Sequence, residues 1–372
     1  MAVDCTGADL GPAEVAAGAV LAANDGVGTL LFGPAGELEP VLAGSPADMV
    51  DVVDAPISVA KSSDPAGAVR REKAASIVQA VKAVADGRAQ AFVCAGATGS
   101  ALAAGLFHLK RARGIHRPAL ALPLPVPGRP VILLDVGANA QARPEHLEQF
   151  AFMGAALAGA LFDVATPRVG LLSNGEEAER GSELVRETHL RLEGILAGAS
   201  STGGTFASGG PRARARAGAG PPFGDASPPT FEFAGNVEGG DLTSGAADVI
   251  VTDGFTGNVA LKVMEGVSQA MISAIRDAAA SSSRAKLGGL LLRPALGSFR
   301  AEIDPEGQGG AYLLGLRRLG VVPHGSFTRR GFAQAILRAA QGARGDLVGH
   351  THLALDRAGA LRRAPADVRV ER

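Results

Sequence analysis

The amino-acid pattern predicts a three-layer α/β/α protein built on a mainly parallel sheet, with a helical hairpin protruding from it. Three observations predict this. Short apolar runs alternate with amphipathic stretches along most of the chain; several of those runs end in a segment rich in Gly, Asp and Asn just before a helix begins; and Gly257 to Arg300 reads as two long helices. At 372 residues the chain can bury a large core. One elaborated domain over residues 1–355 is expected, followed by a charged, fraying tail over 356–372.

Each element has a local reason. Met1 to Asp4 opens the chain as a strand. Gly28 to Phe32, Gln90 to Cys94, Pro130 to Leu134, Arg168 to Leu172 and Asp248 to Thr252 are apolar runs of strand length between helical stretches. A helix from Pro65 to Asp86 has Asp64 to cap it, Pro65 at its first position and Gly87 to end it, and it sets Val69, Ile77, Val78, Val81 and Val84 along one side. Another runs from Pro144 to Phe162, with Glu145 in its first turn, where a negative charge meets the positive end of the helix dipole. Between residues 198 and 229 the period is lost in Ser, Gly, Ala, Pro and Arg, with Arg212, Arg214 and Arg216 at alternate positions; this is the composition of a disordered surface insertion. In the late helical region, about 257–300, Leu290, Leu291 and Leu292 are flanked by Lys286 and Arg293 and interrupted by Gly288, Gly289 and Pro294. Two readings stay open there: contact with a membrane interface through the leucines, or packing against a partner subunit.

Composition narrows the function. A formal charge of −1, from 36 basic and 37 acidic residues, gives no overall field for nucleic acid. Aromatic residues make up 4% of the chain, with no Trp and one Tyr, so packing must rest on Ala, Val and Leu. Cys5 and Cys94 fall inside apolar runs and read as buried reduced thiols. No run is apolar enough to span a bilayer and no secretion leader is evident, so a cytoplasmic location is expected, with membrane association at most peripheral. No His, Cys, Asp and Glu spacing resembles a zinc or iron site, and Gly96-x-x-Gly99 lacks the third glycine of a dinucleotide fingerprint. Neither a metal nor a cofactor is expected.

The chemistry is expected at five segments: Asp4 to Asp9, Ala95 to Ser100, Asp135 to Asn139, Gly235 to Gly239 and Asp253 to Asn258. Several sit where a buried strand ends and a helix starts, the place where open α/β sheets bind ligands. Glycine lets backbone amides approach an anion, and a helix start adds unpaired N–H groups. One shared site for an anionic substrate is the natural expectation.

Taken in order, the strings resemble the phosphate acyltransferases of the PlsX type. They are Val3-Asp4 with Gly7 and Asp9; Asp64-Pro65 with Ala68-Val69-Arg70-Arg71; Arg117-Pro118-Ala119-Leu120-Ala121; Asp135-Val136-Gly137-Ala138-Asn139; Arg143-Pro144-Glu145-His146; and Arg168 to Leu172. They continue through Gly235-Asn236-Val237-Glu238, Ala247-Asp248-Val249, Asp253-Gly254-Phe255-Thr256-Gly257-Asn258 with Lys262, Gly309-Gly310-Ala311, Leu314-Gly315 and His324-Gly325-Ser326. The resemblance covers most of the chain. It implies a Rossmann-like sheet of the phosphotransacetylase and isocitrate dehydrogenase type, and transfer of an acyl group from acyl carrier protein to inorganic phosphate for phospholipid synthesis. It also implies a homodimer that hands acyl phosphate to a membrane-bound glycerol-3-phosphate acyltransferase.

Such a transfer needs no protein nucleophile, because phosphate can attack the thioester itself; position and fixed donors suffice. The expected substrate-binding set is Asp4, Gly7, Asp9, Gly96, Thr98, Gly99, Ser100, Asp135, Asn139, Asn236, Glu238, Asp253 and Ser326, with Lys262, Asn258 and His324 supplying charge or donors to the reacting group. Each has an ordinary alternative: Asp and Asn favour turns and caps, His324 suits a turn after Pro323, and Lys262 suits a solvated helix side. Arg70, Arg71 and Lys73 are either a docking patch for an acidic carrier protein or a plain solvated face. Ala97, Ser173 and Glu176 depart from the strings usual in the family, and weaken the expected anion site. Two rivals follow: an enzyme like the phosphotransacetylases acting on acyl coenzyme A, and a weakened homologue serving as a membrane-surface scaffold.

Overall fold

The computed structural model describes residues 1–43, 46, 48–128, 130–201 and 231–362. Among them eleven strands form one sheet: β1 (Ala2–Asp4), β2 (Thr29–Gly33), β3 (Val50–Asp54), β4 (Phe92–Cys94), β5 (Ala119–Leu124), β6 (Val131–Leu134), β7 (Arg168–Leu172), β8 (Glu232–Val237), β9 (Val249–Val251), β10 (Ala311–Leu314) and β11 (Gly320–Val322). The order across the sheet is β3-β2-β1-β4-β11-β10-β5-β6-β9-β7-β8. Helices cover both faces, as the alternating pattern predicts.

The middle of the sheet decides where the strand ends point. β3, β2, β1, β4 and β11 are parallel to one another, and so are β6, β9, β7 and β8. Between them β10 is antiparallel to both β11 and β5, and β5 is antiparallel to β6. Three successive reversals leave the two parallel halves running in opposite directions. The carboxyl ends of β1, β4 and β11 therefore lie on one edge, called the first edge below. Those of β6, β9, β7 and β8 lie on the other, the second edge.

Strand alternation splits the core into two layers. Ile132, Leu134, Val249 and Val251 face one side with Phe150, Met153 and Leu157 of the helix Pro144–Phe162. Leu133, Ile250, Leu120 and Phe92 face the other, together with Ile77, Val81 and Ala101. Few aromatics mean close approach of backbones: a Cβ on Gly154 would sit 2.4 Å from Val249 Cγ1, so that helix lies directly on the sheet.

Several expectations need adjusting. The stretch Pro65 to Asp86 is two helices, Pro65–Arg71 and Ser76–Ala85. Asp64 caps the first as expected, its carboxylate accepting from Gly67 N at 2.9 Å. The second starts afresh because Ser76 is tied down, its N–H to Ile57 O at 3.0 Å and its hydroxyl to Asp4 at 2.6 Å. Residues 198–201 complete the helix Glu183–Ser201, and the rest of the expected insertion lies outside the described residues. The last helix, Leu347–Arg357, crosses the expected boundary at 355, Ala360 is buried, and residues 363–372 lie outside the described residues.

The helical hairpin is Gly254–Ala280 and Ser283–Glu302. Its first turn is buried at Gly254 and Gly257, while Val263, Val267, Met271, Ile275 and Leu287 are exposed. The pair therefore protrudes. Leu290, Leu291 and Leu292 are 62%, 75% and 58% exposed, which leaves them available to a partner surface. Among the described residues no helix is long and apolar enough to cross a membrane.

Candidate active site

At the first edge the segments after β1, β4 and β11 meet through glycines. A Cβ on Gly7 would lie 1.8 Å from Ala95 O, and one on Gly96 would lie 2.8 Å from both Gly7 O and Gly325 Cα. Gly96 also has φ +72, a conformation that favours glycine. Backbone bonds close the junction: Asp9 N donates to Gly325 O at 2.8 Å, and Gly96 N to Pro323 O at 3.0 Å. Gly325 stands so near Asp9 that an added Cβ would be 3.2 Å from its carboxylate.

Asp4 is the buried hub of this junction. Its Oδ1 accepts from Thr6 N (3.2 Å), Thr6 Oγ1 (3.1 Å) and Ser76 Oγ (2.6 Å), and its Oδ2 accepts from Cys94 Sγ (3.2 Å). Burial pushes the carboxyl above its ordinary value, against the pull of these donors. Burial, with Asp4 alongside, also holds the Cys94 and Cys5 thiols far from ionisation. Asp4 thus organises the turn rather than touching solvent.

The next helix, Thr98–Ala104, starts without a side-chain cap, because Ala97 offers none. The amides of Thr98, Gly99 and Ser100 occupy its first turn, where no intrahelical acceptor exists. The Ser100 hydroxyl is already spent on Val59 O at 3.0 Å, so Ser100 contributes here through its backbone. His324 and Ser326 are exposed beside the junction and bonded to each other, Nδ1 to Oγ, at 2.7 Å.

At the second edge Asp135 is the counterpart of Asp4, with a different set of donors. Its Oδ1 accepts from the amides of Leu120 (3.0 Å), Gly137 (3.1 Å) and Ala138 (3.0 Å), and its Oδ2 from Asn139 N and Nδ2, both 2.8 Å. Burial raises this carboxyl too, again opposed by the hydrogen bonds. Asn139 also donates to Pro118 O at 2.7 Å, and Asn258 to Val136 O at 3.0 Å. Gly254 and Gly257 let the hairpin start against this turn, since a Cβ on Gly257 would be 1.9 Å from Asp135 O. Asp253 caps that helix, accepting from Phe255 N (3.0 Å), Thr256 N (2.9 Å) and Thr256 Oγ1 (2.7 Å).

The sequence-predicted set is thus divided rather than gathered in one cradle. Asp4, Gly7, Asp9, Gly96, Thr98, Gly99, Ser100, His324 and Ser326 share the first edge; Asp135, Asn139, Asp253 and Asn258 share the second. Asn236 is the penultimate residue of β8 and Glu238 follows that strand, further along the second edge. Asn236 is structural in its contacts, with Oδ1 3.0 Å from His189 Nδ1 and Nδ2 donating to Glu177 O at 2.7 Å. Lys262 lies one turn beyond Asn258, exposed, and ion-paired with Glu265 at 2.7 Å. One apolar face links the two edges. Leu102, Leu106 and Phe107, which follow the first-edge turn, pack on the same core layer as Ala260, Leu261 and Met264, which follow the second-edge turn.

Around this face the basic group is only partly free. Arg71 lies 3.6 Å from the Asp64 carboxylate, the Arg70 guanidinium stacks 4.6 Å from the Phe107 ring centre, and Lys73 is exposed. Sequence spacing also missed one cluster. His116, Glu145 and His146 bring ligand-type atoms within 4.8 Å of one another, although His116 is far from the other two along the chain. Their surroundings do not suit a cation. His146 Nδ1 accepts from Arg143 N at 3.2 Å, which places the ring proton on Nε2 and leaves that ring no free lone pair; burial holds both rings below the usual histidine range, Glu145 opposes this, and the cations of Arg111, Arg117, Arg143, Arg191 and Arg362 act on one ring or the other and would repel a metal ion. The two rings pack against each other, their centres 5.7 Å apart.

An eleven-stranded sheet with opposed halves and glycine-lined strand ends defines the class of fold. Phosphotransacetylases from Staphylococcus aureus and Streptococcus pyogenes share it: each superposes with a TM-score of 0.55 over 92% of this chain and 93% of its own, at 14% and 16% identity. The family is set by sequence. The family model described as fatty acid synthesis protein matches residues 1–203 and 226–348, and the chain belongs to that family. Proteins named phosphate acyltransferase are 39% identical in Pelotomaculum thermopropionicum, covering 90% of this chain and 89% of the relative, and 39% identical in Heliobacterium modesticaldum, covering 94% and 95%. A third, from Geobacillus thermodenitrificans, is 35% identical over 96% of this chain and 99% of its own. The chain is an enzyme, an acyltransferase, as the resemblance implied.

Proposed function

We propose that this chain transfers a long-chain acyl group from acyl carrier protein to inorganic phosphate, reversibly, and so supplies acyl phosphate for phospholipid synthesis. Acyl transfer to phosphate follows from the family and from the name its relatives share. A phosphate oxygen attacks the thioester carbonyl, a C–O bond forms, the C–S bond breaks, and the carrier thiolate leaves and takes up a proton. The observation that carries the reading is the uncapped helix start at Ala97, where the amides of Thr98, Gly99 and Ser100 open beside a glycine-lined junction. Partly buried Leu102, Leu106 and Phe107 continue from it and suit an acyl chain. The two cysteines are fully buried, which favours direct attack by phosphate over an acyl-enzyme route.

In this reading His324 and Ser326 donate at the first edge, and Asn258 and Lys262 act from the second across the shared apolar face. Arg70, Arg71 and Lys73 receive the acidic carrier. The protein is a single acyltransferase domain and a homodimer, with the hairpin supplying apolar surface for the partner and Leu290, Leu291 and Leu292 for peripheral membrane contact near a glycerol-3-phosphate acyltransferase. Its place is the cytoplasm. The test is formation of acyl phosphate, trapped as the hydroxamate, from purified protein, palmitoyl carrier protein and phosphate. Product from the carrier thioester and little from palmitoyl coenzyme A is expected; the reverse preference would favour chemistry like that of the phosphotransacetylases, and a folded dimer that forms no product would favour the scaffold. Lys262→Ala and Asn258→Ala are expected to slow turnover, each by about 2–4 kcal/mol of barrier if it removes a donor to the oxyanion.

A further inference from the structure

Beyond the end of β10, at the second edge, the loop Lys110 to Ile115 and the chain end from His352 to Arg362 enclose an open cavity of about 940 Å³. Its basic side chains are Lys110, Arg111, Arg113, Arg362 and His352, against one carboxylate among the described residues, Asp356. Arg111 is occupied, since its guanidinium donates to the carbonyls of Ile115 and His116. Among the described residues Lys110, Arg113 and Arg362 form no ion pair.

Two further features show that the cavity is built. Its walls are stapled by Gln149, a fully buried amide. Gln149 Oε1 accepts from His116 N at 2.8 Å, while Nε2 donates to Gly114 O at 2.9 Å and Ala360 O at 2.8 Å. Arg362 N donates to Gly114 O at 2.8 Å as well, and Gly114, at φ +75, is packed so closely that a Cβ would be 2.9 Å from Leu361 Cβ. The second feature is Lys110 itself. It ends the π-turn Gly105–Leu109 with φ 66 and ψ 168, a backbone region that only glycine adopts without strain. A lysine held there, in the lining of a cavity rich in basic side chains, points to a use for its side chain.

We propose that this cavity binds a ligand carrying two or more phosphate groups, held by Lys110, Arg113 and Arg362. Three cations with no ion pair among the described residues, around a space far larger than one orthophosphate, fit a chain of phosphates, whose oxygens take charge-assisted hydrogen bonds from them. The site is separate from the amides of Thr98 to Ser100, so its existence does not rest on the acyl-transfer reading.

Isothermal titration of the full chain with inorganic tripolyphosphate tests it, with sulfate at matched ionic strength as the control and ATP as a second arm. Saturable one-to-one binding of tripolyphosphate is expected, weakened about tenfold or more in Arg113→Ala and in Arg362→Ala. Lys110→Gly separates ligand binding from folding: it relieves the backbone, so it should raise the melting temperature while weakening tripolyphosphate binding. Equal affinity for ATP would mean that the phosphates alone are read, and tighter binding of ATP that a nucleoside is accommodated too; both support the site. Absence of saturable binding of either probe to the folded chain overturns it. So does affinity unchanged in the two arginine variants, or sulfate binding as well as tripolyphosphate.

Discussion

Replacing Asp135 by Asn should cost far more than replacing Asp4, although both are buried aspartates at strand ends. At Asp135 all five donors are N–H groups. An Asn that keeps its oxygen toward Leu120, Gly137 and Ala138 must aim its NH2 at Asn139 N and Nδ2, both 2.8 Å from the present Oδ2. Two hydrogen bonds to a charged acceptor are lost, worth about 1.5–3 kcal/mol each, and donors are left facing donors. Relief from burying a charge offsets part of this, leaving a net loss of about 3 kcal/mol. The flipped amide would lose three bonds instead. At Asp4 the Oδ2 partner is the Cys94 thiol, which can accept from an amide and turn its own hydrogen toward Ala97 O, 3.8 Å away. Oδ1 keeps all its donors, so Asp4→Asn should stay within about 1 kcal/mol of the parent. Urea denaturation followed by far-ultraviolet circular dichroism at pH 7 measures both. Equal losses in the two variants would refute the argument from donor identity.

Three further outcomes follow. Because burial holds the Asp4 carboxyl above its ordinary range, its contribution to stability is fully present below about pH 4, the unfolded value, and is lost as pH rises through the folded one. Asp4→Asn should therefore gain on the parent as pH rises above about 4, and a difference that is flat or of opposite slope would contradict this. Ala97→Ser adds the missing cap and should stabilise the fold by about 0.5–1 kcal/mol; because it also occupies amides assigned to phosphate, it should raise KM for phosphate, and an unchanged KM removes them from the site. Neither Cys5 nor Cys94 should react with a thiol reagent in the folded chain at neutral pH, and both should react once it is unfolded in urea, as mass spectrometry can check.

The sequence carried the architecture well and the site only in pieces. Pro144–Phe162 and Arg168–Leu172 have the expected boundaries because Pro, Glu and an uninterrupted apolar run act locally. Val50–Asp54 and Gly320–Val322 are short, and no local signal separates them from loop; sheet pairing makes them strands. The break before Ser76 depends on Asp4, 72 residues away, and the ring contact of His146 depends on His116 in a distant loop. The division of the strand-end segments between two edges was hidden for the same reason. It follows from the direction of β5 and β10, and direction is a property of pairing rather than of any segment. Glycine placement, by contrast, was informative: Gly7, Gly96, Gly254 and Gly257 all mark points where backbones touch.

The position of β10 and β11 also bears on how the chain is made. Their hairpin is inserted between β4 and β5, so no sheet hydrogen bond joins the two halves until residues 311–322 have been synthesised. A chain leaving the ribosome therefore carries β1 to β4 and β5 to β9 as two partial sheets with raw inner edges, which are open to wrong pairing. The glycine junction at the first edge, which joins Gly7, Gly96 and Gly325, comes together only when this late part of the chain closes that gap.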